Sequence, residues 1–189
     1  ILLQRIDPGE EIQREMAGYI SSEVDRTNSL VTRFLEFARP LQVKKAPVDI
    51  NALLDQAVGH LARQSPGSVP TIHKNFDPAL PLIEGDAELL ERVFFNLILN
   101  AVQASPEDGT VTLKTRPAGG VVEVAILDRG AGIRREDMEQ IFNPFYTTKS
   151  GGVGLGLAVS AKIVDEHGGK IRVESEEGRG TTFAVSLPV

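Results

Sequence analysis

The stretch FFNLILNAVQA, residues 94–104, is apolar almost throughout yet carries Asn96 and Asn100 four positions apart. Four positions is about one helical turn, so the two amides share one face. A segment this apolar, running from Asp86 to Ala104, predicts a buried helix. Two carboxamides inside it need partners, because an unsatisfied buried amide is costly. Core asparagines bonded to backbone would meet that need. So would a hard cation such as Mg²⁺, which an amide oxygen ligates well.

Around this helix the pattern reads as a mixed α/β domain. Residues 51–64 form a helix with Asp49 as cap, and residues 71–76 form a strand. Residues 110–116 and 121–128 are strands joined at Ala118-Gly119-Gly120. A helix over 157–166, a strand over 170–174, a turn at Glu177-Gly178-Arg179-Gly180 and a last strand to Leu187 follow. Between them, residues 129–153 read as irregular with one short helix over 135–141. A loop of that length inside a compact domain is usually functional.

Upstream the pattern changes. Residues 1–6 read as the end of one helix, and Asp7-Pro8-Gly9-Glu10 as the start of the next, with Pro8 at its first position. Up to Arg39, apolar residues at Ile12, Met16, Tyr19/Ile20, Val24, Leu30/Val31, Phe34/Leu35 and Ala38, with Thr27 filling one gap, alternate by three and four, a heptad-like seam. Such a helix spans about 45 Å. It needs helical partners or a globular domain to cover its seam. Residues 1–40 are therefore read as a helical stem, 41–48 as a linker or edge strand, and 49–189 as the globular domain.

Bulk properties narrow the function. The 189 residues are 41% hydrophobic and carry a net charge of −6, which argues against nucleic acid as the main partner. There is no cysteine, so disulfides and thiolate zinc sites are excluded. The three histidines, His60, His73 and His167, have no metal-ligand spacing. No stretch suits a bilayer span or a signal peptide. The chain begins at Ile1, so a piece of a longer protein is expected, its localisation cytoplasmic, with any membrane anchor upstream.

Two glycine-rich stretches suit a ligand. Leu127-Asp128-Arg129-Gly130-Ala131-Gly132 ends an apolar strand in a carboxylate followed by glycines that let a flat ligand approach. A carboxylate bonded to an amine such as that of adenine nets about 1.5–3 kcal/mol; an ordinary Asp-Gly turn is the alternative. A dinucleotide fingerprint fails, because its third glycine falls at Arg135. Gly152-Val153-Gly154-Leu155-Gly156-Leu157 precedes a helix, whose start and backbone amides suit phosphates. Alone, that cluster also suits a mobile surface loop. It lacks the Gly-Lys-Ser/Thr of a Walker loop, and Lys149 stands before it.

The motifs come in a specific order: the asparagine pair, Asp128-x-Gly130-x-Gly132, Asn143-Pro144-Phe145-Tyr146-Thr147-Thr148-Lys149, Gly152-x-Gly154-Leu155-Gly156-Leu157, and Gly178-x-Gly180-Thr181-Thr182-Phe183. This order resembles the catalytic ATP-binding domain of bacterial two-component sensor histidine kinases, over residues 49–189. Residues 11–40, with Glu23-Val24-Asp25-Arg26 and Phe34-Leu35-Glu36-Phe37-Ala38-Arg39-Pro40, resemble the second helix of that family's dimerisation and phosphotransfer stem.

The resemblance implies an α+β fold: a two-layer α/β sandwich with a mixed sheet, preceded by the long stem helix, and ATP with Mg²⁺ as ligands. It implies that Asn100 ligates Mg²⁺ and Asn96 supports it, and that Asp128 holds the adenine amine with Thr181 nearby. Gly130 and Gly132 would admit the base. Gly152, Gly154, Leu155 and Gly156 would form lid hinge and phosphate contacts. Phe145 would be an apolar anchor between lid and stem, Lys149 a candidate phosphate contact, and Arg92 a candidate reach to the γ-phosphate. The implied partners are a second copy through the stem and a response-regulator receiver domain.

The resemblance has one departure. Its acceptor histidine is followed by an acidic residue and later a proline, and none of the three histidines here has that context. The expectation is a fragment that binds Mg-ATP without phosphorylating itself. Rival readings are an ATPase of the same superfamily, a nucleotide-binding scaffold, and a serine kinase acting on an anti-sigma partner. The ATPases use a glutamate where this chain has Asn96, and an amide cannot serve as general base.

Overall fold

The computed structural model describes residues 8–38, 41–64, 70–149 and 152–189. It divides into two compact units, Ile1–Pro40 and Leu41–Val189. In the first, α1 (Pro8–Ala38) is a single 31-residue helix with the proline at its first position, where a missing N–H is harmless. Ile12, Met16, Tyr19, Ile20 and Val24 are exposed on it at the three-and-four spacing. Tyr19 donates its hydroxyl to Glu15 one turn back at 3.2 Å. The helix end expected over residues 1–6 and the cap at Asp7 lie outside the described residues.

The second unit is a two-layer sandwich. Its elements are β1 (Ala46–Val48), α2 (Ile50–Gln64), β2 (Thr71–Asn75), β3 (Ile83–Gly85), α3 (Ala87–Ala104), β4 (Thr110–Ala118), β5 (Val121–Leu127), α4 (Gly156–Glu166), β6 (Lys170–Glu176) and β7 (Gly180–Pro188). The main sheet has the order β2-β4-β5-β7-β6; β2 runs parallel to β4 and the other pairs are antiparallel, so the sheet is mixed. One face of β5 (Val122, Val124, Ile126) and of β7 (Phe183, Val185, Leu187) is buried, as period-two alternation requires. The helices cover that face. Leu90, Phe94, Leu97 and Ile98 of α3 are fully buried at its centre, each worth roughly 1.5–3 kcal/mol of transfer free energy.

Caps set the helix starts. Asp86 Oδ1 accepts from the Leu89 amide at 3.2 Å and Oδ2 from the Lys44 amide at 2.9 Å. Asp49 caps α2 through the Ala52 amide at 3.1 Å. Burial pushes the Asp86 carboxyl up, but these backbone donors outweigh it and hold the group below its ordinary range.

Two elements differ from the sequence reading. Residues 46–48, within the stretch read as linker or edge strand, pair antiparallel with β3, a three-residue strand that has no counterpart in the reading. The short helix expected over 135–141 is a run of turns instead. Its bonds are mostly one residue too tight for an α-helix (Gln140 to Asp137 and Asn143 to Gln140, both 2.8 Å), and the Asp137 carboxylate is engaged by Arg134 and Tyr146.

Candidate nucleotide site

A cavity of about 510 Å³ opens between the ends of α3, β5 and β7 and the irregular segment before α4. That volume suits a nucleotide-sized ligand. Of the residues expected at a site, Asn100, Asp128, Gly132, Lys149, Gly152, Gly154, Gly156 and Thr181 line it. Arg92, Asn96, Gly130, Phe145 and Leu155 do not.

Asp128 follows β5 and is buried. Its Oδ1 accepts from the Gly130 amide at 2.9 Å and the Thr181 amide at 3.2 Å, while its own amide donates to the Thr181 carbonyl at 2.9 Å. Burial raises its pKa, and the two amides together with the Lys149 charge pull it back only in part. The carboxylate is therefore held in place, partly desolvated, and suited to a donor that recovers the lost hydration.

The adjoining turn is set by backbone contacts. Gly132 has φ +69°, and a Cβ there would lie 2.2 Å from the Glu176 carbonyl oxygen. Only glycine fits both conditions. The Ala131 amide donates to the Ala104 carbonyl at 3.2 Å and its carbonyl accepts from Gly178 at 2.7 Å, tying the turn to α3 and to the β6–β7 turn. Gly130, beneath it, sits against the Ala104 carbonyl rather than facing the cavity.

The two asparagines share a helix face but not a role. Asn96 Nδ2 donates to Ser160 of α4 at 3.0 Å, and its amide oxygen packs where a Cβ on Gly156 would sit. Asn100 faces the cavity, and its Oδ1 accepts from the Lys149 ammonium at 2.9 Å. Gln103 Oε1 accepts from the same ammonium at 2.7 Å. Lys149 is exposed along its stem, but its charged end is drawn against these groups; that desolvation lowers its pKa, with Asp128 pulling the other way. An ammonium on the Asn100 oxygen stands in for a cation, and two neutral amide oxygens suit a hard ion that brings its remaining ligands with it. The donor set thus fits Mg²⁺ accompanied by phosphates. Among the described residues no group of three or more His, Cys, Asp or Glu could hold a metal ion.

The far wall is built from residues 143–149 and 152–156. Phe145 is exposed with φ +69°, and its amide donates to the Gly154 carbonyl at 2.9 Å. Gly154 has φ +70°, and a Cβ on it would lie 2.4 Å from the Phe145 carbonyl carbon, so this segment folds upon itself. Tyr146 donates to Asp137, which Arg134 also grips at 2.9 and 3.2 Å; the tyrosine hydroxyl and then the guanidinium hold the Asp137 carboxyl below its ordinary range. Arg134, Asp137 and Tyr146 line the cavity without being expected as site residues; Tyr146 lies in the quoted Asn143–Lys149 motif, but its bond to Asp137, like that of Gln103 to Lys149, comes from juxtaposition that no local pattern marks.

None of the histidines approaches this cavity wall. His167 is buried, donating Nδ1–H to the Ile163 carbonyl at 2.8 Å and accepting the Asp86 amide on Nε2 at 2.9 Å. Both nitrogens serve to join the end of α4 to the start of α3. His60 is paired with Glu91 at 2.6 Å, and His73 is exposed on β2.

Comparisons with known proteins agree with this fold. The model of the histidine kinase-, DNA gyrase B-, and HSP90-like ATPase family matches residues 85–189. The sensor histidine kinase ZraS of Escherichia coli strain K12 is 35% identical over 175 residues, 93% of this chain and 38% of the relative. The chain thus spans about two fifths of the length of such curated relatives. Full-length ShkA in complex with AMPPNP superposes with a TM-score of 0.78 at 30% identity, over 93% of this chain and 38% of that one. The histidine kinase ThkA in complex with the response regulator TrrA superposes with a TM-score of 0.73 at 26% identity, over 98% of this chain and 53% of that one. Among the described residues no helix is long and apolar enough to cross a membrane.

Proposed function

This chain belongs to the family of histidine kinase-, DNA gyrase B-, and HSP90-like ATPases, and from that premise we propose that it is the Mg-ATP-binding catalytic portion of a sensor histidine kinase. The observation that supports this most is one cavity holding a buried, partly desolvated carboxylate, Asp128, and an amide oxygen, Asn100, that already carries a cationic group.

In this reading Asp128 accepts the adenine amine beside Thr181, and Gly132 lets the flat base lie close. Asn100, aided by Gln103, holds the metal that neutralises triphosphate charge when bound. Lys149, displaced from the amide oxygens, turns to the phosphates. The backbone of residues 152–156 and the start of α4 meet the phosphate tail, with Leu155 and Gly156 at that junction. Asn96 braces α3 against α4 one turn behind the metal, and Arg92, one turn earlier again, is held as a reach to the γ-phosphate. Residues 143–149 and 152–156, Phe145 included, act as the lid.

The reaction is in-line transfer: an imidazole nitrogen bonds the γ-phosphorus as its bond to the β–γ bridging oxygen breaks, and ADP leaves. The phosphoryl group then passes to an aspartate of a response regulator, the kind of partner ThkA has in its complex with TrrA. The acceptor histidine belongs to a stem of which α1 is one helix, and the apolar residues exposed on α1 support pairing with a second copy in the intact protein. The site faces the cytoplasm, and any membrane attachment belongs to upstream segments.

Incubating the chain with Mg²⁺ and γ-labelled ATP tests the reading. Saturable binding, slow hydrolysis and no acid-labile label on the chain are expected. Fast steady hydrolysis would favour the ATPase alternative, against which the inability of Asn96 to activate water as a base now stands. Acid-labile label on the chain would contradict the assignment of the acceptor to a separate stem histidine.

A further inference from the structure

Ser175 of β6 lies directly across from Thr181 of β7, and its hydroxyl is fully committed. Its oxygen accepts the Ile133 amide at 2.9 Å. Its hydrogen goes to the Gly180 carbonyl at 3.0 Å. Its remaining contact is with Thr181 Oγ1 at 2.9 Å. A serine hydroxyl has one hydrogen and two lone pairs. With the hydrogen on a carbonyl, the better acceptor, and one lone pair on an amide, only an acceptor position is left for Thr181. The threonine must therefore spend its own hydrogen on Ser175, and the chain Thr181 O–H to Ser175 O–H to Gly180 C=O reinforces itself. Thr181 is buried, lines the cavity and donates its backbone amide to Asp128. Its Oγ1 can offer the cavity nothing but lone pairs.

We propose that Ser175, which does not line the cavity itself, is a positioning residue for purine selectivity: it locks the Thr181 hydroxyl as an acceptor, so that Asp128 and Thr181 together demand a hydrogen-bond donor at the purine 6-position. An amine meets that demand. A 6-carbonyl faces two acceptors and leaves them unpaired, a mismatch that polar sites reject strongly. The inference rests on the nucleotide-site reading above and adds to it which hydrogen points where.

The test is a calorimetric titration of the chain with Mg-ADP and with Mg-IDP, whose bases differ at the 6-position, amine against carbonyl, and at N1, a bare acceptor in ADP and an N–H in IDP; the N1 difference is common to every variant, so the change in preference between variants is what is read. Wild type favours ADP. In Ser175→Ala the threonine hydrogen is released to rotate into the cavity and serve a carbonyl, so the ADP-to-IDP preference falls by at least about fivefold. Ser175→Thr, which keeps a hydroxyl, restores it. In a Thr181→Val background Ser175→Ala no longer changes the preference, and Thr181→Val alone lowers it by weakening ADP more than IDP. That last variant keeps the test open if Ser175→Ala folds poorly. Equal weakening of both nucleotides in Ser175→Ala, or an unchanged preference in Thr181→Val, overturns the inference while leaving nucleotide binding intact. Failure of wild type to bind either nucleotide overturns the parent reading and this inference with it.

Discussion

The two walls of the cavity are built differently. The wall after β5 is made of backbone packed on backbone: Gly132 lies against the Glu176 carbonyl of β6, and Ala131 is bonded to both α3 and the β6–β7 turn. The wall over residues 143–149 and 152–156 rests on itself, Phe145 on Gly154, and reaches the rest of the domain through side chains: Tyr146 to Asp137, and Lys149 to Asn100 and Gln103. The first wall has no freedom apart from the sheet. The second can be released by breaking a few polar contacts to charged groups, each worth about 1.5–3 kcal/mol in net terms. In the proposed reading the first wall takes the base and the second the phosphates, and that division would let the site grip one rigidly and the other adjustably.

The largest expected effect breaks the first wall. Gly132→Ala forces a side chain into a left-handed backbone and onto a carbonyl, and should cost about 3 kcal/mol or more of global stability, read as a lower urea midpoint. An unchanged midpoint would mean this wall is as adjustable as the other. Asp128→Asn comes next and separates binding from stability. Nucleotide affinity should fall by roughly 1.5–3 kcal/mol, about 10- to 150-fold. Stability without ligand should not fall. Because burial holds the Asp128 pKa above its unfolded value, its ionised form is a penalty at neutral pH; the variant's advantage should be present there and vanish as pH drops below the unfolded value of about 3.9.

Gly154→Ala probes the second wall. Its backbone is left-handed too, costing an alanine about 1–2 kcal/mol. The damage should stay local: faster amide exchange and proteolysis over residues 143–156, with the global midpoint nearly unmoved. A global loss equal to that of Gly132→Ala would erase the distinction between the walls. Asp86→Ala, at the start of α3 on the rigid side, should cost about 1 kcal/mol as a lost N-cap. With a folded pKa below the unfolded one, that stability is present above about pH 4 and lost as pH falls through the folded value.

The rigid parts were also the legible ones. The apolar run from Asp86 to Ala104 announces α3, and alternation announces β5 and β7, because burial imposes a period on the chain; the Asp86 cap itself shows only in the hydrogen bond to Leu89. β3 escaped notice because three residues are too few to display a period; its strand character depends on pairing with β1. The false helix at 135–141 arose because Asp137 spends its carboxylate on Arg134 and Tyr146, partners no local pattern reveals. Spacing put Asn96 and Asn100 on one face correctly, but which of them meets α4 and which meets the cavity is decided by Ser160 and Lys149, distant in sequence. Gln103 and Ser175 became visible only through the groups they touch.

The most direct test is a crystal structure of the 189-residue chain with Mg²⁺ and a non-hydrolysable ATP analogue. The account predicts the adenine amine within hydrogen-bond distance of the Asp128 carboxylate, the metal on the Asn100 amide oxygen, and the Lys149 ammonium moved away from both amides. A nucleotide bound elsewhere, or one seated with Lys149 still bonded to Asn100 and Gln103 and no metal there, would contradict it.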